Sequence, residues 1–154
     1  MIKILFVCHG NICRSTMAQS LFTYLVREAG LEQKFSIESA ATSREEIGNP
    51  PHPGTVRELR REGIPVVPHQ AVQMTRRDYA KYNLLIGMDE ENLYYMRRIA
   101  GGDPDNKICK LMAFAAGTGA PDVADPWYTG DFAATYRDCL AGCSGLLEWA
   151  SRLC

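Results

Sequence analysis

The beginning of the chain carries the feature that most restricts its fold. A short apolar run, Ile2 to Val7, leads into a polar loop that contains glycine, and apolar residues at helical spacing follow the loop. An apolar run of this length fits a strand that is covered on both faces, and a helix directly behind the loop begins a crossover to the next strand. The N-terminal segment therefore predicts an α/β protein with a parallel sheet.

The same alternation of strand and helix patterns continues along the chain. The strand candidates are Ile2 to Val7, Phe35 to Ala40, Leu84 to Met88 and Lys107 to Met112. The helix candidates are the segment behind the first loop, Thr55 to Glu62, Thr75 to Tyr82, Asp89 to Ala100, and a last helix from about Gly130 onward. We therefore predict a single three-layer α/β/α domain over residues 1–154, in which helices flank a central four-stranded parallel sheet.

Two helix starts and one helix face are predicted in more detail. Thr75 and Asp89 are placed to cap exposed N–H groups, and Asp78 completes a capping box with Thr75. One buried face of the last helix is expected to contain Phe132, Tyr136, Leu140, Cys143, Leu147 and Ala150. This face should pack on the sheet.

Composition and charge fit a globular protein and give no general reason to expect nucleic-acid or membrane binding. The chain of 154 residues is 46% apolar and 23% charged, which is enough for one core. A formal net charge of -1 gives no general attraction to nucleic acid or to an anionic membrane. No segment approaches the roughly 20 apolar residues that cross a bilayer, and the N-terminal run lacks the features of a secretory signal. We expect a cytoplasmic protein without nucleic-acid or membrane partners.

The cysteines are interpreted as reduced thiols. They are Cys8, Cys13, Cys109, Cys139, Cys143 and Cys154. A chain with an ample core and no secretory signal does not need a disulfide framework. Cys139 and Cys143 share a helix face but have no second pair nearby, which favours buried small side chains over a metal site. No metal or other cofactor is expected.

The loop from Cys8 to Arg14 is the predicted reactive centre. It follows the first strand, at the sheet edge where open α/β proteins bind ligands. Its N–H groups can converge on an anion at the start of the next helix, and Gly10 and Asn11 tolerate the backbone angles that this requires. The same surroundings favour the nucleophilic thiolate form of Cys8, while the planar fork of Arg14 can bind two phosphate oxygens. The loop predicts a metal-free phosphate site with a cysteine nucleophile.

This loop and several later segments resemble the low-molecular-weight protein tyrosine phosphatase family. The similar segments, in family order, are Val7 to Ser15, Ser39 to Thr42, His69 with Gln70, Gly87 to Asp89 and Asp125 to Tyr128. The resemblance implies a flavodoxin-like strand order 2-1-3-4 and hydrolysis of phosphotyrosine, in a protein or a small aryl phosphate, through a phosphocysteine intermediate. Inorganic phosphate is then the product and an inhibitor.

The resemblance also implies roles for individual residues. Cys8 is the nucleophile, Arg14 binds the phosphate and stabilises the transition state, and Asp125 is the general acid that a departing phenolate needs. The other loop residues expected to contact the substrate are His9, Gly10, Asn11, Ile12 and Cys13. Trp127 and Tyr128 are expected to form walls for the aromatic ring, although packing in the core would also explain one of them.

A supporting network and a redox partner are implied as well. Asn11, Ser15, Ser39 and His69 match positions that hold the family's loop in its anion-ready shape, and Ser15 can donate to the sulfur of Cys8. Cys13 matches a position that forms a reversible disulfide with the nucleophile.

Two other activities and the substrate preference stay open. An arsenate reductase needs a relay of further thiols, and the region from Tyr79 to Arg98 contains none. Protein-arginine phosphatases carry threonine where this chain has Ile12. The departures from the better-known family pattern are Thr16, Glu45, His52 and Val72. Glu45 and Glu46 at a pocket rim would favour basic peptides over acidic ones.

Overall fold

A parallel sheet forms the centre of the molecule. The computed structural model describes residues 1–117 and 119–154, and within these ranges four strands are found. They are β1 (Ile2–Cys8), β2 (Phe35–Ala41), β3 (Leu84–Gly87) and β4 (Ile108–Lys110). Their order is β2-β1-β3-β4, which confirms the predicted class and strand order. At the C-terminal edge of the sheet, Cys8 is level with Ala41.

Helices cover both faces of this sheet. They are α1 (Arg14–Glu28), α2 (Pro53–Arg61), α3 (Arg76–Lys81), α4 (Glu90–Ala100), α5 (Pro126–Thr129) and α6 (Phe132–Ser151). Ile4 and Phe6 of β1 are buried in a cluster with residues of α1, α2 and α6. Leu5 and Val7 are buried on the other side with residues of α3 and α4. The side chains of β1 therefore alternate between two apolar layers, as expected for a strand covered on both faces. Among the helices of the described residues, none has the length and hydropathy to cross a membrane.

The predicted helix caps are present. Asp78 accepts a hydrogen bond from the backbone N–H of Thr75 at 2.8 Å, which closes the capping box of α3. Asp89 accepts from Asn92 N at 2.7 Å at the start of α4. The helix α5 was not predicted, and β4 ends earlier than expected because Leu111–Phe114 form a 3-10 helix.

The predicted buried face of the last helix is wrong at Leu140, which is 37% exposed. The fully buried residues of α6 include Thr135, Cys139 and Leu146 instead. Two glycines explain the difference, because a Cβ atom at Gly142 or Gly145 would collide with the 3-10 helix at Leu111–Phe114. The closest packing of α6 therefore uses its smallest residues, which a search for large apolar side chains overlooks.

Candidate active site

The predicted loop lies between β1 and α1 and forms the floor of a pocket. The pocket has a volume of about 300 Å³. The residues that line it and were predicted as catalytic or as walls are Cys8, Arg14, Asp125, Trp127 and Tyr128. His9, Gly10, Ile12 and Cys13 also line it, and the side chain of Asn11 is fully buried in the network that supports the loop. The structure thus brings the loop from Cys8 to Arg14 and the segment from Asp125 to Tyr128, which are distant in sequence, to one cavity.

The sulfur of Cys8 is almost buried and has two polar neighbours. Cys8 is 3% exposed. The hydroxyl oxygen of Ser15 lies 3.0 Å from its sulfur, and the backbone N–H of Asn11 donates to the sulfur at 3.3 Å. The Ser15 hydroxyl and the Asn11 N–H can both donate a hydrogen bond to this sulfur.

Asn11 holds the loop in its shape. Its φ angle of 59° is left-handed, a region that asparagine tolerates better than most residues. Its amide nitrogen donates to Ser15 at 2.8 Å and to Ser39 at 2.9 Å. Its amide oxygen lies 2.7 Å from His69 Nε2 and accepts from Val72 N at 3.2 Å. The four residues predicted to form a network are therefore in contact.

The network extends to one residue that the sequence did not indicate. Ser39 donates its hydroxyl hydrogen to Gln19 Oε1 of α1 at 2.5 Å. Because the oxygen of Asn11 can only accept, Nε2 of His69 carries the hydrogen in this contact. Burial lowers the pKa of His69, so the imidazole is neutral at neutral pH.

Arg14 lies between two carboxylates. Its side chain is 4% exposed. Nη1 donates to Asp89 Oδ2 at 2.8 Å and to the carbonyl oxygen of Val123 at 3.3 Å, while Nη2 lies 3.3 Å from Asp125 Oδ2. Burial lowers the pKa of the Arg14 guanidinium, but the charge of Cys8 and the carboxylates of Asp89 and Asp125 outweigh this effect and raise that pKa above its ordinary value.

Asp89 is the main site residue missing from the sequence prediction. Asp89 was predicted as a helix cap and as part of a segment that resembles the family, but no contact with Arg14 was predicted. It does cap α4 through Oδ1, while Oδ2 accepts from Arg14. One signal for this second contact is available in the sequence. A carboxylate that follows β3 so closely must lie near the C-terminal end of β1, because the two strands are parallel neighbours.

Asp125 is held at the start of the short helix α5. Oδ1 of its carboxylate accepts from the backbone N–H of Trp127 at 3.0 Å, and Oδ2 faces Arg14. Trp127 and Tyr128 are 68% and 84% exposed, which excludes core packing for both. They line the pocket from the outside.

The two cysteines of the loop differ in their surroundings. Burial raises the pKa of Cys13 to about 12, and the charges of Cys8 and Asp125 act in the same direction. A hydrogen bond with Thr55 and the charge of Arg14 oppose this shift. Cys13 is therefore a neutral thiol at neutral pH. A disulfide between Cys8 and Cys13 stays a prediction.

The other cysteines are free thiols outside the pocket lining. Cys139 and Cys143 are fully buried in α6, as predicted, and burial raises the pKa of both. Burial also raises the pKa of Cys109 to about 11, with a smaller contribution from Asp103.

The acidic residues at the pocket rim, and the residues that depart from the better-known family pattern, make the following contacts. Glu45 lies 3.0 Å from His9 Nε2, and Glu46 and Glu91 also line the pocket. Thr16 is buried and donates its hydroxyl hydrogen to the carbonyl oxygen of Cys13 at 3.0 Å. His52 caps α2 by accepting from Gly54 N at 2.9 Å.

Comparison with known proteins gives the class. The family model of the low molecular weight phosphotyrosine protein phosphatases matches residues 3–152, and the chain belongs to this family. The resemblance found in the sequence is thereby confirmed.

Individual relatives agree with this result. The low molecular weight protein-tyrosine-phosphatase YfkJ of Bacillus subtilis is 42% identical over 147 residues, which are 96% of this chain and 94% of that relative. The crystal structure of YfkJ covers 99% of this chain and 96% of its own, with a TM-score of 0.95 and 40% identity. The crystal structure of an arginine phosphatase from Drosophila is also similar, with a TM-score of 0.87 and 25% identity over 97% of this chain and 98% of that one.

Proposed function

We propose that this protein hydrolyses phosphotyrosine by transferring the phosphoryl group first to Cys8 and then to water. One observation carries the proposal. A buried sulfur with two hydrogen-bond donors, a buried guanidinium and a carboxylate from a distant loop line the same pocket. These are the nucleophile, the anion-binding group and the acid that the reaction requires.

In the first step, the sulfur of Cys8 attacks phosphorus while the bond from phosphorus to the phenolic oxygen breaks. Arg14 binds two of the other phosphate oxygens and stabilises their charge as the phosphorus becomes five-coordinate. The carboxyl group of Asp125 gives its proton to the departing phenolic oxygen. The products are tyrosine and a phosphocysteine.

In the second step, a water molecule attacks the phosphorus of the phosphocysteine. The carboxylate of Asp125 accepts a proton from this water, and the bond from phosphorus to sulfur breaks. Inorganic phosphate leaves, and Cys8 returns to the thiolate. Ser15 supports this departure because its hydroxyl lies 3.0 Å from the sulfur.

The shape of the pocket favours an aromatic phosphate ester. The reactive groups lie on the floor, and the exposed rings of Trp127 and Tyr128 line the mouth. A phosphotyrosine side chain is long enough to reach the floor while its ring contacts these walls. The shorter phosphoserine side chain lacks both the reach and the ring.

The two alternative activities, those of an arginine phosphatase and of an arsenate reductase, have weaker support. Ile12 lines the pocket with an apolar side chain where an arginine phosphatase carries a hydroxyl group. An arsenate reductase needs further thiols beside the nucleophile, but among the described residues the cysteines that line the pocket are Cys8 and Cys13. Tyrosine phosphatase activity therefore fits the site best.

We also place the protein in the cytoplasm, without nucleic-acid or membrane partners. The proposal is supported by the six free cysteines, which suit a reducing compartment, and by a formal net charge of -1.

The test compares turnover of an aryl phosphate by the wild type, Cys8→Ser and Asp125→Asn. We expect no turnover by Cys8→Ser, because serine lacks an ionised nucleophile at neutral pH. Asp125→Asn should lose about a hundredfold to ten-thousandfold in turnover number, since it cannot protonate the leaving group. Rapid acid quenching of the wild type should trap a labelled phosphocysteine.

Two results would contradict the proposal. Full activity of Cys8→Ser would exclude a sulfur nucleophile. Phosphoarginine turned over by the wild type at a higher kcat/KM than phosphotyrosine would favour the arginine-phosphatase alternative.

A further inference from the structure

The backbone directly before Asp125 is held by two side chains of α6. The N–H of Ala124 donates to Asp138 Oδ2 at 2.9 Å. The carbonyl oxygen of Ala124 accepts from the hydroxyl of Thr135, also at 2.9 Å. Thr135 is fully buried, and Asp138 is partly buried. Neither residue lines the pocket.

The preceding residue is fixed in the same way by other elements. The N–H of Val123 donates to the carbonyl oxygen of Met88 at 3.0 Å, just after β3. The carbonyl oxygen of Val123 accepts from Arg14 at 3.3 Å. All four backbone polar groups of Val123 and Ala124 therefore have partners, and moving this segment would leave several of them unpaired.

The hydrogen bonds directly after Asp125 are local to the turn that follows it: the carbonyl oxygen of Asp125 accepts from Tyr128 N at 3.1 Å and from Thr129 N at 3.2 Å. The helix α5 is a single turn, Pro126–Thr129, and is followed by Gly130, whose φ angle is 69°. Trp127 and Tyr128 on this turn are mostly exposed. The hydrogen bonds of Val123 and Ala124 therefore connect the backbone before Asp125 to α1, α6 and the end of β3, whereas those of Tyr128 and Thr129 stay within the turn.

We propose that Thr135 and Asp138 are positioning residues that set where the carboxyl group of Asp125 meets the leaving oxygen. The proposal rests on the function proposed above. A general acid works only within about 2.6–3.2 Å of the atom that it protonates, and a displacement of about 1 Å can cost a hundredfold in rate. Thr135 and Asp138 act through the backbone of Ala124 and do not touch the substrate.

The experiment uses two aryl phosphates that differ in their need for the acid. Phenyl phosphate releases a basic phenolate that needs a proton, whereas 4-nitrophenyl phosphate releases a stable anion that needs it much less. For Thr135→Val and for Asp138→Ala, we expect kcat/KM to fall about tenfold with phenyl phosphate and less than about threefold with 4-nitrophenyl phosphate. A role in stability alone would lower both values equally.

Conservative and matched variants complete the test. Thr135→Ser keeps the hydroxyl and Asp138→Asn keeps an acceptor oxygen, so both should retain the wild-type ratio of the two substrates. Asp131→Ala removes the cap of α6, where Asp131 accepts from Ala134 N at 3.0 Å, without removing a contact of Ala124. It should lower Tm and leave the ratio unchanged.

A further pair of variants tests whether the effect passes through Asp125. In an Asp125→Asn background, adding Asp138→Ala should cause no further change in the ratio of the two substrates, because the acid is already absent.

An unchanged substrate ratio in both Thr135→Val and Asp138→Ala would overturn the positioning role, and so would an additional change in the Asp125→Asn background. If Thr135→Val does not fold, the substrate ratio of Asp138→Ala alone tests the proposal. Failure of the proposed function itself would look different, because the wild type would then turn over neither substrate.

Discussion

The floor and the rim of the pocket are built in opposite ways. On the floor, Asn11 and Ser15 are fully buried and bonded to each other, to Cys8 and to further buried partners. At the rim, Trp127 and Tyr128 are mostly exposed, and the pair of His9 with Glu45 lies in solvent. A change in the floor leaves buried polar groups without partners, whereas a change at the rim is compensated by water. The floor should therefore determine the rate of the reaction, and the rim should determine which substrate is preferred.

The largest effect is expected from removing the amide of Asn11. Asn11→Gly keeps the left-handed backbone but removes the hydrogen bonds that the Asn11 amide makes with Ser15, Ser39 and His69. We expect kcat/KM for 4-nitrophenyl phosphate to fall about a hundredfold, because the loop is no longer held in place. The free energy of unfolding should fall by about 1–3 kcal/mol, measured by urea denaturation.

Asn106→Gly is the matched control. Asn106 is also a non-glycine residue with a positive φ, at 52°, but it is exposed and outside the pocket lining. It should change neither kcat/KM nor stability by much. Equal kinetic effects of Asn11→Gly and Asn106→Gly would show that the hydrogen bonds of Asn11 do not determine the rate.

A smaller effect is expected at the rim. Replacing Glu45, Glu46 and Glu91 together by glutamine removes three negative charges from the pocket lining. The wild type should prefer phosphotyrosine peptides with basic flanking residues, and the triple variant should lose about threefold to tenfold of this preference in kcat/KM. The difference should shrink with added salt, since exposed charges are screened.

Glu28→Gln serves as the control for charge alone, because Glu28 is exposed at the far end of α1. It should leave the peptide preference unchanged. If wild type and triple variant treated acidic and basic peptides alike, the rim would have no role in selection by charge.

The smallest effect concerns pH and the network behind the floor. Because burial lowers the pKa of His69 in the folded protein, the unfolded chain takes up this proton first as the pH falls. The stability that depends on neutral His69 is present above the ordinary pKa of 6.5 and is lost as the pH falls below it.

The wild-type Tm should therefore decrease more steeply than that of His69→Gln between about pH 7 and about pH 5. Glutamine is chosen because it can still donate to Asn11 but does not titrate. Parallel curves from differential scanning calorimetry would show that the burial of His69 does not influence stability.

Much of the fold and part of the site could be predicted from the sequence. Buried parallel strands are short and mostly apolar, so all four were located, and the reactive loop is one contiguous segment next to the first of them. Contacts between distant side chains have no such local signature. The pairing of Arg14 with Asp89 spans 75 positions, and the contact of Gln19 with Ser39 joins a helix to a strand. Both were missed for this reason.

Close packing was equally difficult to predict. Gly142 and Gly145 allow α6 to approach the 3-10 helix at Leu111–Phe114, and this contact turns Leu140 outward. The pattern of large apolar residues contains no information about such an approach. The short helix α5 was missed because a single turn has no periodicity.

The two carboxylates on Arg14 influence how an anion binds to this guanidinium. The guanidinium is already neutralised by Asp89 and Asp125, so an incoming phosphate group competes with an internal counterion. We expect the separation of Arg14 from Asp125 to consume part of the free energy of binding of every oxyanion. We expect the released carboxyl group to protonate the leaving oxygen of a substrate, whereas a simple oxyanion has no leaving group to protonate.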